Sequence, residues 1–289
     1  MIWLLIPPLA IAAEKDARPL TLDSPDSRMR VTFEIDEQGR PVFDVTFKDA
    51  QVASGMLGLV FAGSGPLDKN LKINGTRRSS RDREYGIPVG KASAARDRHN
   101  ELQVELVETS PPQRKLNIVL RVFDDGVAFR YEIPKQERFS EFVLTDELTR
   151  FTFPGEPSAH ALPLKNYTTP YEAYYETLPV SKIGAKRLFG VPLLLERTLD
   201  DAKRAWIAVT EANLTDYAGM YLAGVDGEPG TLVSKLSPLP GRSDGAKVLG
   251  QAPFVSPWRV LMIADDPGRL IESHLVFHLS DPPAIEDTS

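Results

Sequence analysis

The sequence predicts an all-β fold, a large sandwich with few short helices, on three observations. Apolar and polar residues alternate with a period of two along much of the chain, the pattern of strands with one buried face. Turn residues punctuate these runs, and strands do not alternate with helices as they would in a doubly wound parallel sheet. Helical periodicity is scarce.

Taken in order, Val31, Phe33 and Ile35 alternate with Arg30, Thr32 and Glu34. A turn at 36–39 follows, then Phe43, Val45 and Phe47 alternate with Asp44 and Thr46, which describes a half-buried antiparallel hairpin. Asn74-Gly75 reads as a tight turn. Leu102, Val104 and Leu106 form one further strand, Leu116 to Val122 a second and Ala128 to Ile133 a third, entered through Asp124-Asp125-Gly126. Asp226-Gly227 is another turn. The best helical signal has Asp266 as N-cap and Pro267 at the first helical position, with Leu270, Ile271, His274, Leu275 and His278 on one face. No linker divides the chain.

The 289 residues, 42% hydrophobic and 26% charged, suffice for one large β domain and exclude a disordered chain. A formal net charge of -6 leaves no cation excess for counterion release, so no nucleic-acid partner is expected. The absence of Cys excludes disulfides, thiolate metal sites and cysteine nucleophiles. Residues 1–13 form an apolar run with small residues before Glu14, too short to span a bilayer and read as a signal peptide clipped at its start. Export to the periplasm or secretion is expected, with no membrane partner.

Motifs with chemistry are few. The sequence has no phosphate-binding glycine loop, nucleophile elbow or metal-spaced His/Asp cluster. His274 and His278 stand four apart on the expected helix without a third ligand, and packing against the sheet is the simpler role. His99 and His160 read as loop or strand-end residues without a partner. Residues 165–176 hold four Tyr and two Glu, which suit sugar C–H faces and sugar hydroxyls or calcium, or equally an aromatic cluster packing a loop. In 209–220, Thr210 reads as the cap of a short helical turn, with Glu211 and Asp216 as first-turn acids.

Read together, Ser24-Pro25-Asp26, Asn100-Glu101-Leu102, the run from Arg121 through Asp124-Asp125-Gly126 to Phe129-Arg130-Tyr131, Asp146-Glu147, Tyr171-Glu172, Thr210-Glu211-Ala212 with Asp216-Tyr217, and Pro257-Trp258-Arg259-Val260 resemble the N-terminal domain of glycoside hydrolase family 97. The resemblance spans nearly all of the chain after the leader. It implies a β-super-sandwich of galactose-mutarotase-like shape over 14–280, with 281–289 starting a linker to a (β/α)8 barrel that this chain lacks. It also implies an exported bacterial, calcium-dependent α-glucosidase or α-galactosidase acting on α-linked oligosaccharides.

In that family the catalytic carboxylates lie on the barrel, so the resemblance assigns no catalytic residue here. The domain's implied part is to wall the active site of its own barrel and to supply one glutamate to the calcium. By position that glutamate is Glu172, with Glu176 and Glu211 as weaker choices; Asn166 and Tyr171 are the residues placed near sugar. Family members often carry a Trp ahead of the Tyr-Glu segment, which Ser158 to Pro163 lacks, so sugar preference stays open. Trp258 and Arg259 are read as structural, a buried indole and a paired guanidinium. The alternatives are a free-standing carbohydrate-binding or mutarotase-like protein, and a scaffold domain without a ligand.

Overall fold

The structure, a computed structural model, describes residues 18–87, 90, 92–199 and 203–282. Residues 1–13, the apolar run expected to be a signal peptide, and residues 283–289 of the expected linker lie outside the described residues.

Among the described residues, a network of seventeen strands and a separate sheet of four carry the fold. One layer runs Leu20–Asp23, Met29–Ile35, Pro41–Phe47, Ala50–Met56, Arg150–Thr152, Glu228–Leu236 and Met220–Val225, each antiparallel to the next. The other runs Leu71–Gly86, Ala94–Glu108, Lys115–Phe123, Gly126–Ile133, Trp258–Ala264, Arg204–Ala212, Leu188–Thr198, Ser158–Leu164 and Glu176–Pro179. Leu188–Thr198 belongs to both, because Phe189 pairs with Leu222 while Leu193 to Thr198 pair with 204–209. Val248–Gln251, Glu141–Glu147, Leu59–Phe61 and Gly65–Leu67 form the small sheet.

The period-two residues line the interior as expected. Val31, Phe33, Phe43 and Val45 from one layer and Leu102, Val104, Leu106 and Leu120 from the other share one buried cluster. Phe43 meets Phe129 across the layers at 5.2 Å between ring centroids. Such a pair adds roughly 0.5–1.5 kcal/mol beyond its area.

The second layer is buried on its outer face too. Val119, Phe123, Ala128, Trp258 and Val260 form a second cluster that Leu275 and Leu279 close. There the guanidinium carbons of Arg121 and Arg130 each lie 4.5 Å from the centroid of the Trp258 ring. Gly126 is required by this packing, since a Cβ would stand 2.5 Å from the Leu261 carbonyl oxygen and 2.6 Å from Leu275 Cδ1.

Two expectations change. The helix is two short ones, Pro267–Glu272 and Leu275–Leu279. Asp266 does cap the first, accepting from the Gly268 N–H at 2.8 Å. Ser273 then breaks the run: it is extended, donates its hydroxyl to Asp125 at 2.6 Å and accepts from the Leu275 N–H. Ile271 consequently faces solvent. Asn74-Gly75 is no turn but lies inside Leu71–Gly86, where the register shifts between Ile73 and Gly75 as in a β-bulge.

Candidate functional site

Several of the motif residues, scattered in sequence, meet in one buried polar network. The register that pairs Glu211 with Arg259 sets both on the inner face of the second layer. Arg259 reaches Glu147, 112 positions away, through Nε to Oε1 at 2.8 Å and Nη2 to Oε2 at 2.6 Å, and both side chains are fully buried. Its Nη1 donates to Glu211 Oε2 at 2.6 Å. Glu147 also accepts from Thr149 Oγ1 at 2.8 Å and from the Tyr217 hydroxyl at 2.9 Å. Because the Thr149 proton is so used, Tyr131 donates to Thr149 at 2.7 Å and accepts from the Gly58 N–H at 3.0 Å.

The electrostatics follow from this wiring. Burial alone would push the Glu147 carboxyl up, but the Arg259 charge and four side-chain hydrogen bonds hold it below the usual carboxylate range. Glu211 moves the other way: burial outweighs Arg259 and raises it. Tyr217 is raised by burial and by Glu147, which keeps it a donor. Glu211 is therefore a strand residue engaged with Arg259, which corrects the helical turn expected at Thr210; it also accepts from the Met220 N–H. Trp258 and Arg259 have the structural roles expected of them.

Beside this network lies the loop that joins Ser158–Leu164 to Glu176–Pro179. Asn166 shapes its start: Oδ1 accepts from the Thr168 N–H, Thr168 Oγ1 and Thr169 Oγ1 at 2.9 to 3.1 Å. The Tyr167 ring meets Tyr221 edge-on at 5.1 Å and lies under Lys247 Nζ. Tyr171 packs on Tyr221 and on Gly190, where a Cβ would come within 2.7 Å of its ring. Gly190 lacks a positive φ, so the ring rather than the backbone requires glycine there. At the far end Glu176 accepts from Arg187 at 2.6 Å, and Arg187 covers Phe189.

Between these anchors Glu172 is exposed and, among the described residues, makes no hydrogen bond or ion pair, while Tyr174 and Tyr175 are 96% and 60% exposed. Among the described residues no three His, Asp or Glu gather as a metal-binding group. Of the three glutamates considered for calcium, Glu176 is paired with Arg187 and Glu211 with Arg259, which leaves Glu172 as the uncommitted carboxylate. An open cleft of about 730 Å³ adjoins the loop through Lys247; Leu214, Tyr217, Leu249 and Phe254 are among its walls.

The histidines lie elsewhere. His99 is in mid-strand and buried, its Nδ1 2.6 Å from Asp97 Oδ1, which corrects the expectation of a partnerless strand-end residue. His160 lies in Ser158–Leu164, its Nδ1 3.0 Å from Thr177 Oγ1. His278 stacks on Phe123 and meets the Tyr85 hydroxyl at 2.9 Å through Nδ1, and burial lowers its pKa. His274 precedes the second helix, its ring 6.4 Å from that of His278.

The network's members Glu147 and Tyr217 were invisible as a pair because nothing local marks them. Asp146-Glu147 and Asp216-Tyr217 each carry part of the family resemblance, but Glu147 ends Glu141–Glu147 and Tyr217 lies in the loop before Met220–Val225, and no spacing links the two.

Comparison with known proteins matches residues 22–282 to the glycosyl-hydrolase 97 N-terminal family. The chain is 25% identical over 308 aligned positions to a retaining alpha-galactosidase of Bacteroides thetaiotaomicron, covering 97% of this chain and 43% of that protein. It is 27% identical to a probable retaining alpha-galactosidase of Streptomyces bingchenggensis, over 77% of this chain and 32% of that one. A glycoside hydrolase family 97 enzyme from Pseudoalteromonas sp. strain K8, solved with acarbose, superposes with a TM-score of 0.85 at 28% identity, covering 93% of this chain and 39% of that chain. The chain thus spans less than half the length of these relatives, and it belongs to the glycosyl-hydrolase 97 N-terminal family.

Proposed function

We propose that this chain is the N-terminal domain of an exported bacterial α-glycosidase of family 97, an α-glucosidase or α-galactosidase, and that it walls the active site of a catalytic barrel and lends that site one calcium ligand, Glu172. The observation that carries the second part is the state of Glu172, an exposed carboxylate that has no partner among the described residues, on a loop pinned at both ends. Calcium takes about six to eight oxygens. One free carboxylate suits a site shared with a second domain, whereas a calcium cage within this chain would need a cluster that the described residues lack. Held by Glu172 and by oxygens from a second domain, calcium would supply a fixed positive charge to the shared site.

The chain's own residues set that carboxylate in place. Asn166 closes the turn at the start of the loop, Tyr171 seats on Gly190, and the Glu176–Arg187 pair fixes the return. Glycoside hydrolysis needs two carboxyl groups flanking the scissile bond. The buried pair on Arg259 is unsuited to this, since Glu147 is sealed from solvent and fully hydrogen-bonded. The role read for this domain is therefore positional rather than catalytic.

The test is to read the gene past the Ser289 codon and assay the encoded protein on aryl α-galactosides and α-glucosides. The expected result is a continuing frame, hydrolysis that chelation abolishes, and weaker calcium affinity by titration in Glu172→Gln. A frame that stops at Ser289, or calcium affinity indifferent to Glu172→Gln, would overturn the reading.

A further inference from the structure

We infer that Tyr221 is a positioning residue for Glu172: from the strand Met220–Val225 it holds Tyr167 and Tyr171, and through Tyr171 it fixes where the carboxylate of Glu172 is presented. This rests on the function proposed for the domain, and it gives a role to a residue outside the loop.

Alternation places Tyr221. Met220 and Leu222 are buried, so Tyr221 between them points to the opposite face of its strand. The strand is fixed at this point, because the Met220 N–H donates to Glu211, Tyr221 pairs with Lys235, and Leu222 pairs with Phe189. Phe189 directly precedes Gly190, on which the Tyr171 ring seats. One stretch of paired backbone therefore carries both surfaces that the Tyr171 ring meets, Gly190 and the Tyr221 ring, whose centroid is 6.5 Å away.

Tyr221 holds the loop at two places. Its ring meets Tyr167 edge-on at 5.1 Å and its hydroxyl donates to the Tyr167 carbonyl at 3.4 Å, while the same ring packs on Tyr171. Burial and the nearby Tyr221 hydroxyl both push the Tyr171 hydroxyl up, so this contact stays uncharged. Glu172 follows Tyr171 directly and has no hydrogen bond or ion pair of its own among the described residues, so its neighbours in the chain set its position. The other anchors act at a distance: Asn166 shapes the turn with Thr168 and Thr169, and the Glu176–Arg187 pair closes the far end. Tyr171, with Tyr221 behind it, is the anchor adjoining the carboxylate.

Such support matters to a metal ligand. Calcium–oxygen distances fall within about 2.3–2.6 Å, so slack in the loop costs bonding directly. Residues that orient a metal ligand are commonly worth about 10–100-fold in affinity. Tyr221 acts through one intervening residue, which sets the expectation at the lower end, about tenfold.

Calcium titration of the protein as the gene encodes it tests the inference with three variants. Tyr221→Val suits a strand but removes both ring contacts, and Tyr221→Phe keeps the rings. Tyr171→Leu breaks the shared contact from the loop side, at a residue that is 52% exposed and so spares the fold. Tyr221→Val is expected to weaken calcium binding about tenfold, and Tyr221→Phe to recover most of that loss. Tyr171→Leu should weaken binding to a similar degree, and the two changes together should cost little more than either alone. In the Glu172→Gln background Tyr221→Val should have almost no further effect, because the carboxylate it places is gone. A purely structural tyrosine would lower stability without this dependence on Glu172. Unchanged affinity in Tyr221→Val, additive losses with Tyr171→Leu, or a tenfold loss that persists beside Glu172→Gln would each overturn the inference. If Glu172→Gln itself leaves calcium affinity unchanged, the proposed function falls and this inference with it; if Glu172→Gln weakens binding and Tyr221→Val does not, this inference alone falls.

Discussion

The Arg259 network and the Glu172 loop are neighbours in space but are built on opposite rules. In the network each carboxylate has a partner, Arg259 serves two of them, and Glu147 and Arg259 are sealed from water. In the loop the backbone is anchored at both ends while the carboxylate of Glu172 and the rings of Tyr174 and Tyr175 are left uncommitted. The contrast separates residues that hold the fold from residues that meet something else. It also explains why sequence motifs mislead when read singly: the Pro257–Val260 and Arg121–Tyr131 blocks mark structure, and the short Tyr171-Glu172 pair is the one on which the proposed function rests.

The contrast can be broken most directly at Arg259. Arg259→Met strands Glu147 in the core without its counter-ion, and breaking such a buried pair costs roughly 3–5 kcal/mol. Denaturant unfolding should show that loss; a change within about 0.5 kcal/mol, as for an ordinary surface site, would mean the network is not structural. Next in size is Gly190→Ala. The new methyl displaces Tyr171 and, like other overpacking changes, should cost roughly 1–3 kcal/mol. Tyr171→Ala made in addition should recover most of that cost, so the double-mutant cycle shows strong coupling; additive losses would mean the ring does not require this glycine.

Most of the strand layout is legible in the sequence because a period of two is a local property. Phe33, Phe43, Val104 and Ile118 all point inward where alternation puts them. The turn at Asp226-Gly227 holds for the same reason, with Gly227 at φ +78°. Asn74-Gly75 misleads because glycine also serves bulges, and the single long helix misleads because Ser273 offers the backbone a competing side-chain bond. The site was half visible. The Tyr-Glu density of 165–176 points to the loop, but which of Glu172, Glu176 and Glu211 is free depends on Arg187 and Arg259, whose positions only the folded register supplies.

A smaller effect concerns pH. Burial lowers the pKa of His278 from 6.5, against the charges of Asp97 and Asp125 and with His274 and His99. The folded state therefore binds this proton less readily than the unfolded one, so its stability is unaffected above pH 6.5 and falls as pH drops through and below that value. The protection of the Leu275–Leu279 amides, exchange rates being divided by the intrinsic rate at each pH, should fall below pH 6.5 and lose that dependence in His278→Gln; an unchanged profile would place the transition on another group. The smallest expected effect is Glu172→Gln in the 289-residue chain, which should shift unfolding by less than about 0.5 kcal/mol because the side chain is exposed and has no hydrogen bond or ion pair among the described residues. A larger loss would make Glu172 a structural residue and erase the contrast with Arg259.

The central claim is that this domain contributes position, contact surface and one carboxylate, and no catalytic pair. The most direct measurement is hydrolysis of p-nitrophenyl α-galactoside and α-glucoside by the purified 289-residue chain in the presence of calcium. The expected result is release no faster than in buffer alone. Saturable turnover by that chain would contradict it and would place a complete catalytic site within the sandwich.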